Sequence, residues 1–419
     1  MQVFKFGGAS VKDSLSVRNV LSILQKHAQE PTIVVVSAMG KTTNLLEAIS
    51  KAYFFKEGDA QSLFEELKSY HLNIASDLFS DPSHPVFEEL NNVFVELQWA
   101  VEEEPSYTFD FHYDQIVSQG EILSTKIIAA FLNASGLQTK WLDARGLIQT
   151  DNTYREGKVN YELSERLVQS ELIPCFNANA FVLTQGFIGG TSENFSTTLG
   201  REGSDYTAAL LAYFTDAQRV VIWKDVAGVL NADPKYFRNT KKIDELSYHD
   251  AIELTYYGAS VIHPKTIKPL QNKGIPLYVK SFLDPGSSGT AIKEGDMRYQ
   301  VSSYIFKTKQ ILLSIQAKDF SFIAEDNLSE IFNLLSKFNV RANMMQNSAI
   351  SFSLCVDDEA HKIQSLLSEL QKQFKVLYNS GVELMTVRNY NQDILDKLTL
   401  NKTILLEQRS RHTCQLVMK

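Results

Sequence analysis

Two short stretches at distant points of the chain carry residue types suited to handling phosphate. Near the start, Lys5-Phe6-Gly7-Gly8-Ala9-Ser10 follows an apolar run beginning at Val3, in the order strand, glycine turn, helix. Glycines at such a turn let backbone amides approach phosphoryl oxygens without a Cβ in the way, and Lys5 adds positive charge beside them. Far downstream, Leu199-Gly200-Arg201-Glu202-Gly203-Ser204-Asp205-Tyr206 runs into the Ala- and Leu-rich segment 207–212, which favours helix. Ser204 is a good N-cap for that helix, so Asp205 is expected on its first turn, where free N–H groups attract anions. A carboxylate beside a bound phosphate repels it unless a cation lies between them, and either Mg²⁺ or a lysine meets that need. Taken singly, each stretch also has a plain structural reading, as a simple turn and as an acid answering a helix dipole.

The elements that must position these residues read as a repeating strand and helix pattern from residue 2 to about 56. Residues 32–37 form a continuous apolar run, as in a parallel strand covered on both faces. It ends in the loop Ser37-Ala38-Met39-Gly40, where open α/β sheets place their ligands, and Thr42, Thr43 and Asn44 open the next helix. Residues 58–104 read differently, as two amphipathic helices with Leu63, Leu67, Tyr70, Leu72 and then Phe87, Leu90, Phe94, Leu97 at helical spacing. Pro82 and Pro85 divide them, and Glu102-Glu103-Glu104 is expected as a solvated helix end. Gly120-Glu121 opens a strong helix ended by Ser135-Gly136.

Strands are expected at 140–143 and 146–150, followed by the polar loop 151–155, a helix at 161–172 and strand with loop at 174–190. A buried strand at 219–223, a helix start at His263-Pro264 and a last strand at 275–280 complete this part. From about residue 300 the pattern becomes short βαββαβ units. Strands at 311–317, 340–346 and 349–356 alternate with helices at 328–338 and 360–373, and a shorter unit follows at 382–388, 394–398, 403–408 and 413–418.

A chain of 419 residues exceeds one ordinary core, and its 44% apolar content is that of a globular protein. A net charge of −8 offers no basic footprint for nucleic acid or an anionic membrane, so small-molecule substrates are expected. Cys175, Cys355 and Cys414 are widely scattered among apolar neighbours, which predicts buried thiols and no disulfide framework or metal knuckle. No leader-like start and no apolar run near the ~20 residues of a membrane span are found, so a cytoplasmic enzyme is expected.

The separate motifs, taken in order, resemble the aspartate kinases of the amino-acid kinase family over essentially the whole chain. They are Lys5 to Gly8, Val34-Val35-Val36-Ser37-Ala38, Gly120-Glu121, Gly186-Phe187-Ile188-Gly189, Leu199 to Tyr206 and Gly258-Ala259-Ser260-Val261-Ile262-His263-Pro264. The resemblance implies a three-layer αβα sandwich of the α/β class over residues 1–297, with 58–104 as a helical insertion. It implies α+β, ferredoxin-like ACT units in tandem over 298–419, the second abbreviated. It implies ATP-dependent phosphorylation of the L-aspartate β-carboxylate, the first step towards lysine, threonine and methionine, with Mg²⁺ on the ATP phosphates and no protein ligand to metal.

By that resemblance Lys5, Gly7, Gly8 and Asp205 serve the transferring phosphoryl group, and Ser37, Thr43, Glu121, Arg201 and Ser204 serve the substrate. Glu121 matches the family's glutamate for the aspartate ammonium group. Arg201 suits the α-carboxylate, because a guanidinium meets a carboxylate with two parallel hydrogen bonds. Lys224, Asp225, Leu230, Lys235 and Ser260, with Lys5 and Gly8, fall at the nucleotide side. There the family more often has Thr, Tyr, Arg and Lys at the positions of Lys224, Leu230, Lys235 and Ser260. Phe322, Asn343 and Ser348 match the effector region of ACT units, which implies an amino-acid effector such as lysine or threonine. Asn343 and Ala349 stand where lysine-sensitive relatives can have acids, which points to lysine binding that is weak or uses another arrangement. ACT units pair between subunits, which implies a homodimer. The alternatives are a catalytically silent amino-acid sensor of the same fold and another acid or phosphate kinase of the family.

Overall fold

The computed structural model describes residues 1–259, 262–295, 301–319 and 321–419. The chain divides into two compact units. The first comprises Met1–Val229, Lys242–Ile252 and Val261–Met297, and the second Leu230–Lys241, Glu253–Ser260 and Arg298–Lys419. The expected boundary at 297 lies outside the described residues. Segment 230–241 joins the second unit because Tyr304 N donates to Asn231 O (2.7 Å), Asn231 Nδ2 donates to Ser302 O (2.9 Å), and the Phe237 ring stacks on Tyr304.

The first unit is built on an eight-stranded sheet. Its strands are Gln2–Phe6 (β1), Thr32–Val36 (β2), Thr139–Leu142 (β3), Phe181–Gln185 (β4), Arg219–Lys224 (β7), Glu245–Ser247 (β8), Leu277–Ser281 (β9) and Thr290–Lys293 (β10). Ile188–Gly190 (β5) and Ser196–Thr198 (β6) form a separate hairpin. The order is β3-β4-β2-β1-β7-β9-β10-β8, with β1 parallel to both β2 and β7 and β2 parallel to β4. β1, β2 and β4 are buried along their whole length, as central strands covered on both faces are, and β2 is almost wholly Val and Ile. Parallel pairing puts the carboxyl ends of β1, β2, β4 and β7 on one edge of the sheet.

Helix Gly203–Phe214 is buried over nearly all its length, as its Ala and Leu content requires. The expected insertion is the helix pair Ala60–Leu78 and Pro85–Glu102, with Asp59 and His84 as N-caps and Phe64, Leu67, Leu90, Phe94 and Leu97 in the core. Glu102 to Glu104 are exposed. Two expectations differ from the structure. Residues 146–150 form no strand: Asp143 caps the short turn Ala144–Gly146, so the chain bends at once and only Gln149 and Thr150 make isolated bridges. The helix at 161–172 is regular over Tyr161–Leu167, then widens into a π-turn and a 3₁₀ turn carrying Pro174, which has no N–H to give. Cys355 and Cys414 are buried and Cys175 only half-buried, all three as free thiols.

The second unit is a continuous six-stranded antiparallel sheet of Ser303–Ala317 (β11), Ala342–Asn347 (β12), Ser351–Asp357 (β13), Phe374–Arg388 (β14), Ile404–Arg409 (β15) and Thr413–Met418 (β16). Its order is β12-β13-β11-β14-β16-β15. The sequence reading places two units end to end. In the structure they share β11 and β14, each 15 residues long and paired along their length across a bulge after Lys307. One half of each strand packs with Ile331, Leu335, Ile363 and Leu366, the other with Leu395 and Cys414. Residues 377–381 hide this continuity, because Asn379, Ser380 and Gly381 read as a turn and the whole stretch is exposed on both faces.

Candidate active site

The carboxyl edge of the first sheet collects most of the residues singled out above. β1 delivers Lys5 opposite Val35 and Ile222, and the helix after β6 delivers Asp205. Lys5 Nζ stands 2.7 Å from Asp205 Oδ1, and Lys224 Nζ, at the end of β7, stands 3.7 Å from Oδ2. Burial pushes the Asp205 carboxyl up, but Lys5 and then Lys224 outweigh it, so its pKa falls below the ordinary value. Asp205 thus holds two cations at the sheet edge.

Gly7 and Gly8 follow directly. A Cβ on Gly7 would lie 3.2 Å from Lys5 Nζ, and one on Gly8 would lie 2.8 Å from Ala38 O and 2.9 Å from Gly40 O. The two strand-end loops therefore touch through backbone, and Gly40 N donates to Gly8 O at 3.0 Å. Ser37 is half-buried in the second loop, with its carbonyl accepting from Ser124 Oγ, and Thr43 is half-buried in the first turn of helix Thr42–Phe55.

Glu121 sits in the first turn of helix Gln119–Ala134 and is buried. Ala38 N donates to its Oε1 at 3.4 Å, while Oε2 has no partner among the described residues. Burial outweighs the backbone donors and raises its pKa to about 8. The acid is therefore mostly protonated at neutral pH, and a cation placed against Oε2 would favour its ionised form.

The turn into helix Gly203–Phe214 differs from expectation. Ser204 is not the N-cap: the chain passes Gly200 at φ +74 and Glu202 at φ +54, so Glu202 precedes the helix and Ser204 lies inside its first turn. Packing around the turn is close: a Cβ on Gly186 would meet Ser204 Cβ at 2.5 Å and one on Gly203 would meet the Phe187 ring at 2.6 Å. Asp205 keeps its expected place. Glu202 Oε2 accepts from His263 N (3.0 Å) at the start of helix Pro264–Lys273, and Lys265 Nζ donates to Leu199 O (2.9 Å). Arg201 is exposed on the same turn.

The other expected residues are dispersed. Asp225 is exposed just past β7 in the first unit, whereas Leu230 and the exposed Lys235 belong to the second unit. Ser260 lies outside the described residues. In the second unit Ser348 closes the β12–β13 hairpin by hydrogen bonds to Ser351, and Ile323, next to the exposed Phe322, donates to Ala349 O at 3.0 Å. Asn343 lies at the opposite end of β12. Its Oδ1 accepts from Lys307 Nζ (2.8 Å), and its Nδ2 donates to Gln310 Oε1 (2.8 Å) and Asp357 Oδ1 (3.0 Å).

Two buried groups beside the site were not expected. His71, on the inserted helix, has Nδ1 2.8 Å from Leu67 O and Nε2 3.3 Å from Thr42 Oγ1. Burial holds its pKa at about 4, so the imidazole is neutral, with Nδ1–H donating to the carbonyl and Nε2 accepting from the threonine. Asp114 accepts from Arg155 N and Thr198 N through Oδ2 and from Thr198 Oγ1 through Oδ1; burial still raises its pKa to about 6. The available signal was an acid at the helical spacing of Phe111 and Val117, on an otherwise apolar stripe.

Comparison with known proteins fits this arrangement. The family model described as amino acid kinase family matches residues 1–281. Lysine-sensitive aspartokinase 3 of Escherichia coli (strain K12) is 31% identical over 352 residues, covering 83% of this chain and 76% of that protein. The chain belongs to the aspartokinases of the amino acid kinase family. Of the chloroplast aspartokinases of Arabidopsis thaliana that it matches, it spans smaller shares, 62% of one and 32% of a bifunctional one. The crystal structure of E. coli aspartokinase III in complex with aspartate and ADP (R-state) aligns with a TM-score of 0.85 at 27% identity, covering 100% of this chain and 96% of that one. The same enzyme in complex with lysine and aspartate (T-state) gives a TM-score of 0.83 at 28% identity, covering 100% and 95%. Among the described residues no helix is long and apolar enough to cross a membrane.

Proposed function

We propose that this aspartokinase transfers the γ-phosphoryl group of ATP to the β-carboxylate of L-aspartate, giving 4-phospho-L-aspartate and ADP. A carboxylate is already a nucleophile at neutral pH, so the site needs no general base; its task is to bring anions together. Lys5 and the amides of Gly7 and Gly8 meet the transferring group. Asp205 orients Lys5 and Lys224 and keeps the cluster from being doubly positive before the nucleotide arrives. Glu121 takes the substrate ammonium group and Arg201 its α-carboxylate, with Ser37, Thr43 and Ser204 lining the space between. Asp225, beside Lys224 in the first unit, falls to the nucleotide.

The observation that carries this reading is the pairing of opposites at one sheet edge. A lysine cluster suited to phosphate lies near a buried carboxyl with one oxygen unpaired among the described residues; between them runs the backbone of Ala38, whose carbonyl lies beside Gly8 and whose N–H donates to Glu121. An amino-acid ammonium group answers the second as phosphate answers the first.

Mg²⁺ does not fit as a resident of this chain. Both Asp205 oxygens already face ammonium groups and Glu121 is buried, so neither of these two carboxylates is free for a hard cation. The ion would arrive with the nucleotide phosphates and supply positive charge there.

A cytoplasmic homodimer accompanies this reading, with the open edges β12 and β15 available for pairing between second units. The test is ATP turnover with L-aspartate, trapping the acyl phosphate as hydroxamate, with L-glutamate as control. Aspartate-dependent hydroxamate is expected; ATP binding without product from any acid would favour a sensor instead.

A further inference from the structure

Asp114 takes no part in the transfer described above, yet it is fully buried and gathers three donors. Arg155 N–H and Thr198 N–H reach Oδ2 at 2.8 and 2.9 Å, and the Thr198 hydroxyl reaches Oδ1 at 2.7 Å. Three elements meet at this carboxylate: helix Phe109–Val117, the loop through Arg155, and the end of β6. Thr198 leads directly into Leu199-Gly200-Arg201. The loop packs under the same turn, since a Cβ on Gly200 would lie 3.3 Å from Arg155 O, and Gly157 N donates to Thr198 O at 2.9 Å.

Arg201 is exposed and has no ion pair among the described residues, so the backbone of the turn that bears it is what fixes the point from which its side chain leaves. The far side of that turn is held by Lys265 on Leu199 O and by His263 N on Glu202. The near side is held by Asp114. We propose that Asp114 is a positioning residue, which fixes the turn from Thr198 to Arg201 so that the guanidinium meets the α-carboxylate of the amino-acid substrate. This rests on the role given to Arg201 above.

The test is steady-state kinetics of the full chain as D114N, T198V, T198S, R201A and D114N/R201A, each with KM for aspartate, KM for ATP and kcat. D114N exchanges a charged acceptor of three donors for a neutral amide, whose oxygen can keep the two N–H groups while its Nδ2 turns the Thr198 hydroxyl from donor to acceptor. Aspartate KM rises by about 10-fold while ATP KM stays within about twofold. T198V removes only the hydroxyl and raises aspartate KM by roughly 3- to 10-fold, whereas T198S keeps it and restores aspartate KM to within about twofold. In the R201A background D114N adds less than about twofold, because no guanidinium remains to be aimed. A purely structural role lowers the active fraction, and with it apparent kcat, without this split.

The proposal is overturned if R201A raises aspartate KM while D114N and T198V do not, if D114N keeps its full factor on top of R201A, or if ATP KM rises in step. An unchanged aspartate KM in R201A removes the reading of Arg201 itself, and this inference with it. Should D114N not fold, the T198V and T198S pair decides the matter alone.

Discussion

Replacing Glu121 by Gln separates charge from shape at the proposed ammonium site. The wild-type carboxyl is raised from 4.5 to about 8, first by burial and against the pull of the backbone N–H groups. Only the ionised form attracts an ammonium group. Below pH 8 the site must therefore lose a proton before aspartate binds well, at roughly 1.4 kcal/mol for each pH unit. Aspartate KM is expected to fall about tenfold per unit from pH 6 to pH 8 and then level. E121Q should show no such slope relative to wild type, because the substrate's own titration is common to both. At pH 8 its KM should be higher by about 10²- to 10³-fold, the cost of a buried cation left without its partner.

The same shift has a stability signature. Between pH 4.5 and about 8 the native state holds a proton that the unfolded chain has lost, so stability from this group is present at low pH and falls as pH rises. The full loss is roughly 5 kcal/mol, and E121Q should be spared it. Hydroxamate rates at saturating ATP from pH 6 to 9, with thermal midpoints in the same buffers, measure both. A flat wild-type aspartate KM, or an equal slope in E121Q, would refute the argument.

Other substitutions test neighbouring steps. Lys5→Ala should remain folded and lose about 10²- to 10³-fold in kcat or more, and near-normal turnover would remove Lys5 from the transfer. Gly8→Ala drives a Cβ against Ala38 O and Gly40 O at 2.8 and 2.9 Å, and should cost about 1–3 kcal/mol in denaturant stability along with activity. Phe94→Ala empties a core position of the inserted helices and should cost about 3–5 kcal/mol by urea unfolding while leaving aspartate KM unchanged. Asn343 is committed to Lys307, Gln310 and Asp357, so millimolar lysine should leave turnover within about twofold. Tight, saturable lysine inhibition that disappears in N343A or S348A would contradict that.

How much of this was legible in the sequence depended on how local each signal was. Lys5 with its glycines, Glu121 after Gly120 and Asp205 at a helix start each stand inside a short run whose period or turn chemistry fixes their place, and the structure puts them there. The N-cap misassigned to Ser204 shows where local reasoning stops. Propensity favoured Ser, but the left-handed turn through Gly200 and Glu202 starts the helix two residues sooner and leaves Ser204 packed against Gly186. Asp114 and His71 show the same from the other side. The donors of Asp114 lie 41 and 84 residues away, and the Thr42 partner of His71 lies 29 away, so no window along the chain contains the reason for either. Both were nevertheless marked in a weaker sense, as polar groups at positions that helical spacing assigns to the core. Burying such a group without partners is costly, so its presence in an apolar stripe predicts distant partners even where it cannot name them. Asp114, with its donors in the loop and the turn, satisfies that rule, which is why its substitution should reach Arg201 without touching the substrate.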